Sequence, residues 1–321
     1  MKNIQIAKRA SAVLFNYLAN NTLPGQIYLL PGNICPIVPA VFCKLNITFK
    51  LIDISLSTYC IDWEACFKIA KQDSKNKYNI LYAHSYGFED PEFSQYLKRW
   101  KQQFPESTVI DDRCLVEPSL HKQNQLSDME LFSTGYSKLL EIGHTGWAIF
   151  NNKPSEFNWS KYDATKHNSL IKSFNEAFEE NKRVSFDFSS EWLDLERTEV
   201  CCNDILKNIE NDLIKSLNHR LKLNEIYMEH LKEWAMPCKY NKWRFNILTP
   251  NAKNLMQIIF SEGHFASRHY QSVATMFGQK ELPNISFLGN QIVNLFNDYR
   301  FDEHRALVLA RLIKKQLSTY L

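Results

Sequence analysis

From Gln26 to Asp112 short apolar runs alternate with longer amphipathic ones, the rhythm of an α/β domain. The segments 27–31 (IYLLP), 48–54 (TFKLIDI), 78–84 (YNILYAH) and 107–112 (STVIDD) read as buried strands, and VPAVFCKLN, IDWEACFKIAKQ and PEFSQYLKRWKQQF between them as crossover helices. Connections of this length predict parallel strands joined right-handedly. Two further strand candidates, 131–135 (LFSTG) and 146–150 (GWAIF), have only ten residues between them. That is too few for a helical crossover, so they predict an antiparallel pair within the sheet.

Residues 151–198 are polar and irregular and predict loops with small helices. From Glu199 to about Trp234, Val200, Ile205, Ile209, Leu213, Leu217 and Leu221 recur at helical spacing, predicting one long helix that leads into a second unit. The remainder offers a strand at 243–248 (WRFNIL), a helix after Thr249-Pro250, a strand near 265–270 and a terminal helix from about Asp302. The expected division is a large α/β domain over 1–234 and a small C-terminal α+β domain over 235–321. No internal repeat or low-complexity tract interrupts it.

Composition adds little against this picture. The 45% hydrophobic content, with 21 Phe, 14 Tyr and 7 Trp, supports a sizeable core. The 38 Lys and Arg stand against 35 Asp and Glu, a net +3 spread along the chain, so the basic face of a nucleic-acid binder is missing. The densest basic stretch, 311–315, interrupts an apolar helical pattern and reads as a solvated helix face. No stretch approaches the ~20 apolar residues of a membrane span, and no cleavable leader follows Lys8-Arg9, so a cytoplasmic protein with no membrane partner is expected. The eight cysteines show no C-x-x-C pair, which predicts neither a zinc site nor, in that compartment, disulfides.

Three residues stand out by place. Asp112 ends a strand, Ser133 lies near the end of another, and Lys138 follows in a turn. In parallel sheets ligands bind beyond the carboxyl ends of strands, where acid, hydroxyl and amine could meet. A partly desolvated lysine attacks carbonyls; a solvated one is an ordinary surface residue, and the sequence leaves both open. Asp111 and Asp112 point to opposite sides of their strand, so one of them faces a ligand. Ala10-Ser11 opens an apolar helix and suits either an anion or a plain cap. His84 follows a strand and could also reach the crevice; with no acid at suggestive spacing, it reads as a structural hydrogen-bonding residue rather than a general base.

The order LPGNICPIVPAVFCKLNITFKLIDIS, YCIDWE, YAHSYG, VIDD, FSTGYSKLLEIGHTGW, then WRFNILTP and SRHY resembles the DegT/DnrJ/EryC1/StrS family of sugar aminotransferases. The resemblance covers nearly the whole chain. It implies the fold-type-I architecture, a mostly parallel central sheet with helices on both faces and a smaller C-terminal α+β domain. It also implies pyridoxal 5'-phosphate as cofactor, held by a Schiff base to Lys138, with Asp112 against the pyridine nitrogen. Ser133, Ala10 and Ser11 would take the phosphate, and Cys35 (or Ile34) stands where an aromatic often covers the ring. The implied substrates are a keto sugar, nucleotide-linked, and an amino-acid donor such as glutamate, in polysaccharide or glycan biosynthesis by a cytoplasmic homodimer. Arg268, His269 and Tyr270 would reach the acceptor, unless they are a core strand of the small domain.

Departures from the pattern concern the acceptor side. The chain begins almost at the phosphate helix, so the family's N-terminal arm is expected to be very short. Leu115 stands for a His or Gln, Gly135 for a His, Thr145 for the first of two glycines, and Leu195-Glu196-Arg197 lacks the Asn of an Asn-x-Arg. These motivate a second reading, a non-catalytic family member that binds the cofactor or a partner. Lys138 in place of the histidine of related dehydratases argues for amine chemistry.

Overall fold

The computed structural model describes residues 3–73, 77–143 and 145–318; the outer ends of both expected domains therefore fall outside it. Its larger sheet has seven strands. In chain order they are β1 (Ile4–Ala7), β2 (Gln26–Pro31), β3 (Phe49–Ile52), β4 (Lys77–Ala83), β5 (Val109–Asp112), β6 (Met129–Ser133) and β7 (Gly146–Phe150). They lie side by side in the order β1-β7-β6-β5-β4-β2-β3. β2 through β6 are parallel, and β7 runs against both β6 and β1. The antiparallel pair expected from its ten-residue connection is β6 with β7. β1 was not foreseen, because IQIA is short and stands in front of a basic pair.

Helices cover both faces, and strand side chains alternate between them. Tyr28, Leu30, Leu81 and Ile110 pack against α1 (Ala10–Asn21), α2 (Ile37–Lys44) and α5 (Ala164–Glu180). Leu29, Ile80, Tyr82 and Val109 pack against α3 (Trp63–Gln72) and α4 (Phe93–Gln103). The caps are local and legible: Asp62 accepts from the Glu64 and Ala65 N–H groups, Asp163 from those of Thr165 and Lys166. α5, at 17 residues, is longer than the small helices expected in 151–198. Its apolar stripe, Leu170, Phe174 and Ala177, is narrow, so the polar average hid it.

A 30-residue helix, α6 (Cys202–Leu231), is about 45 Å long at 1.5 Å per residue. Ile205, at its start, packs with Phe132 and Trp147 of the large sheet. Its later turns, with Leu223, Tyr227 and Leu231, pack on a second sheet, together with α7 (Ala252–Ser261) and α9 (Glu303–Leu317). That sheet is antiparallel, in the order β8 (Phe245–Leu248), β10 (Ile292–Leu295), β9 (Ala266–Ser267). Two sequence expectations change here. The strand near 265–270 pairs only through Ala266–Ser267, and the central strand, β10, was missed because it follows α8 (Pro283–Gln291) without a turn signal. The basic stretch 311–315 turns its charges to solvent, as expected of a helix face.

Gly146 decides how α1 meets the sheet. A Cβ on Gly146 would lie 2.1 Å from the Ala10 nitrogen and 2.6 Å from the Arg9 carbonyl carbon, so only glycine lets the start of α1 sit on β7. Gly146→Ala must push backbone away from backbone and is expected to lower the unfolding free energy by about 1–3 kcal/mol. A urea titration beside Gly135→Ala, whose Cβ would meet Ser133 Oγ at an ordinary 3.5 Å, checks this. Equal stability of the two variants would contradict it.

Candidate functional site

Register builds one wall of a cleft. Ser133 on β6 is level with Gly146 on β7, and Gly146 with Ala7 on β1. β1 runs in the same direction as β6, so the chain leaving Ala7 turns through Lys8 and Arg9 and starts α1 beside Ser133. The N-cap of α1, Arg9, gives no side-chain cap, and its first turn carries no acid. The helix therefore offers unpaired N–H groups and the positive end of its dipole at Ala10 and Ser11, a setting suited to an anion.

The neighbouring wall comes from the ends of β4 and β5. The two adjacent acids part, as strand alternation requires. Asp111 is fully buried and turns inward, 2.9 Å from His84 Nε2 and 3.5 Å from Arg113 Nη1; Arg113 also pairs with Glu89. His84 Nδ1 faces the Phe88 carbonyl at 3.0 Å, so both ring nitrogens are engaged and His84 is structural. Gly87 closes this turn at a φ of +74°, where a Cβ would strike the Leu115 carbonyl at 2.7 Å. Asp112 turns the other way, into the cleft, with Oδ1 accepting from the Cys114 N–H at 3.0 Å.

The cleft measures about 260 Å³. Lys138 enters it from the irregular loop after β6. Burial raises the thiols of Cys35 and Cys114, the Lys138 ammonium pulls both back, and the Asp112 carboxylate raises both further. Amine and acid thus act on the same two sulfurs from within one small space.

Of the residues the sequence singled out, Ala10, Ser11, Cys35, Asp112, Ser133, Lys138 and Tyr270 line this cleft, as do Ile34, His84, Leu115 and Gly135. Arg268 and His269 do not: Arg268 donates to the Gly289 carbonyl, and His269 packs edge-on to Trp243 at 5.7 Å. Tyr270 lies parallel to Trp243, 3° between planes at 6.2 Å. The cleft also holds residues the sequence did not announce. Lys8, held by Glu196 at 2.7 Å, and Arg9 precede α1. Asn33 follows β2, with its buried Oδ1 unpartnered. His167, Trp192 and Asp194 come from the stretch that looked uninformative. Burial lowers His167, against the pull of the Trp192 carbonyl it faces at 3.2 Å. Only Asn33, two residues past a strand end, carried a signal that could have marked it.

These residues fit pyridoxal phosphate. An uncapped helix start beside a serine suits its phosphate, a buried carboxylate its pyridine nitrogen, and a lysine its aldehyde, with Gly146 keeping the phosphate end open. No family model matches the chain, and no curated protein does. Solved structures do match. A DegT DnrJ EryC1 StrS aminotransferase from Brucella abortus superposes with a TM-score of 0.71 at 13% identity, covering 98% of this chain and 86% of that one. Helicobacter pylori PseC, an aminotransferase involved in the biosynthesis of pseudoaminic acid, gives 0.70 at 13%, covering 98% and 87%. DesI, solved in the presence of its TDP-sugar product, gives 0.71 at 13%, covering 98% and 80%. The chain has the fold of these aminotransferases. The fold-type-I expectation, a mostly parallel sheet between helices with a smaller antiparallel sheet, therefore holds along nearly the full length.

The two acids should separate in stability. Asp111→Ala leaves Arg113 and His84 facing an empty place and is expected to cost about 3–5 kcal/mol. Asp112→Asn keeps its shape and an acceptor and is expected to cost about 1 kcal/mol or less, both read by urea titration. A larger loss from Asp112→Asn would reverse the assignment.

His269 supplies a pH dependence. Burial, then the Arg244 and Lys138 charges, pushes its folded pKa down to about 3, against about 6.5 in an unfolded chain. Between these values the unfolded state binds the extra proton, so the contribution is complete above about pH 6.5 and is lost as pH falls. Replacing His269 by Phe is expected to shrink the stability lost between pH 7 and pH 5 by about 1–2 kcal/mol. Paired denaturant titrations at the two pH values decide, and an unchanged loss would remove His269 as the source.

Proposed function

We propose that this protein is a pyridoxal-phosphate-dependent aminotransferase that transfers an amino group from an amino acid, such as glutamate, to a nucleotide-linked keto sugar in polysaccharide or glycan biosynthesis. The observation that carries this reading is the convergence of Lys138, Asp112, Ser133 and the open start of α1 on one cleft. Two similar structures, PseC of pseudoaminic acid biosynthesis and DesI with its TDP-sugar product, support the substrate class.

Bound in the cleft, pyridoxal phosphate supplies an aldehyde that exchanges amines and a ring that draws electrons from the carbon being deprotonated. Every other task falls to this chain. Ser133 and the Ala10 and Ser11 N–H groups hold the phosphate against the α1 dipole. Asp112 would face the pyridine nitrogen and favour its protonated form. Lys138 Nζ is the amine that would meet the aldehyde. Freed when the donor's amine takes its place, it would move a proton off the donor's α-carbon and, in the second half-reaction, deliver one to the sugar carbon that becomes aminated. Cys35, with Tyr270 in the same cleft, would stand where an aromatic often covers the ring. In this reading residues 1–234 form the cofactor-binding domain and 235–321 the smaller one. Two copies assemble as a cytoplasmic homodimer, with exposed Ile214 and Leu221 of α6 available for burial. Among the described residues no helix is long and apolar enough to cross a membrane.

Purified protein mixed with pyridoxal phosphate is expected to show a Schiff-base absorption band that is lost on adding glutamate, and to elute as a dimer. Lys138→Ala should lack that band before the donor is added, and Asp112→Asn should keep it while turning over at least ~100-fold more slowly, the scale of a lost acid–base contribution. A band indifferent to both the donor and Lys138, or no band, would instead favour a non-catalytic protein that keeps only the fold.

A further inference from the structure

Lys138 lies in a segment that the sheet does not hold. The β6–β7 ladder ends at Ser133 and Gly146, and Ser137 adopts a φ of +60°, a conformation that costs energy for a residue with a side chain. Yet the carbonyls of Ser137, Lys138 and Leu139 all accept hydrogen bonds from the second half of the chain. Trp243 Nε1 donates to Ser137 O at 2.7 Å, and Ser216 Oγ to Leu139 O at 2.9 Å.

The remaining bonds come from Arg220, midway along α6 and only 4% exposed. All five of its N–H donors are engaged. Nη2 bridges Lys138 O at 2.9 Å and Leu139 O at 3.0 Å, and Nε reaches Leu139 O at 3.2 Å. Nη1 donates at 2.6 Å to Trp243 O and at 2.6 Å to Asn297 Oδ1, tying the guanidinium to the chain before β8 and after β10. Asn297 is itself fixed, donating to Asn224 Oδ1 at 2.9 Å.

Arg220 forms no ion pair among the described residues; every one of its hydrogen bonds ends on a neutral oxygen, while the charges of Asp298 and Glu141 favour it from a distance and that of Arg300 opposes it. Burying a cation this way is costly, and an apolar side chain of similar volume would fill the space more cheaply. What an apolar residue could not do is hold two consecutive carbonyls with a rigid planar fork, and a lysine's single ammonium could do so only in part.

We propose that Arg220 is a positioning residue for Lys138, fixing the Lys138 and Leu139 carbonyls so that the Lys138 amine stands in the cleft that Asp112 lines. The geometry is independent of any ligand; only its functional weight rests on the role proposed for Lys138. The same guanidinium joins the small sheet to the Lys138 loop, so α6 and the chain before β8 add to the loop's own bonds, Ile142 N–H to Thr134 O and Lys138 N–H to Gly135 O.

The test uses the full-length protein without added cofactor. Wild type, Arg220→Gln, Arg220→Lys and Ser216→Ala are labelled briefly with acetic anhydride, and peptide mass spectrometry reads labelling of Lys138 relative to exposed Lys153. Circular dichroism and melting temperature report folding in parallel. The expected result is a Lys138/Lys153 ratio at least fivefold higher in folded Arg220→Gln, an intermediate rise in Arg220→Lys, and a smaller rise in Ser216→Ala. A folded Arg220→Gln with an unchanged ratio and a lower melting temperature would make Arg220 a stability residue and overturn the proposal. Should Arg220→Gln fail to fold, Ser216→Ala decides in the same way, an unchanged ratio overturning it. Failure of the aminotransferase reading would appear separately, as a wild-type protein without a cofactor band but with the labelling differences intact.

Discussion

The close approach of backbone to backbone at Gly146 is the constraint on which the rest of the site depends. With no side chain at that position, the turn through Arg9 and Ala10 lies directly on β7, and the first N–H groups of α1 come level with Ser133. A single methyl group there would lift the helix start off the sheet. Parallel strands bring their carboxyl ends to one edge in any such sheet, but the start of α1 joins that edge only because β1 adds itself beside β7 in the direction of β6. The α1 side of the cleft is thus made by topology, and depends on one glycine.

Around this edge the protein buries charge on two sides, for different purposes. Behind Asp112 lies the group of His84, Asp111, Arg113 and Glu89, in which opposite charges face each other and fix the β4 and β5 ends. Below Lys138 lies Arg220, whose donors end on carbonyls and a carboxamide. The first group holds side chains that ladder hydrogen bonds already support. The second holds a loop with no ladder of its own, where a five-donor fork replaces missing secondary structure. Arg244 reinforces it, stacked 3.5 Å over Phe296 and donating to Ser137 Oγ.

Where the cleft departs from the resembled pattern, its side chains are smaller or less polar. Leu115 replaces a hydrogen-bonding residue next to Asp112, and Cys35 a planar ring, while Asn33 leaves a buried carbonyl oxygen without a partner. Such an acceptor, unpaired inside a cleft, carries a desolvation cost that a ligand hydroxyl or amine would relieve. Lys8, Arg9, His167 and Asp194 add side chains of both charge types to the lining of the same cleft.

The sequence by itself determined the fold class, the parallel strands, the antiparallel β6–β7 pair and the long helix, because each leaves a local signature: apolar runs at period two or 3.6, and connection lengths that allow or forbid a crossover. It also marked Asp112, Ser133 and Lys138, since strand ends are where such side chains converge. Tertiary structure decided what no local pattern encodes. β10 is the middle of its sheet yet follows α8 without a break, and β1 is four residues long. The strand expected at 265–270 dissolves after Ser267, carrying Arg268 and His269 away from the cleft and leaving Tyr270 in it. α5 and Trp192–Asp194 reach the cleft from a polar stretch, and Arg220 reads in sequence as one more charge on a helix. Its role exists only through carbonyls more than twenty residues away on one side and some eighty on the other, and hydrogen bonds of that span are fixed by packing, not by spacing.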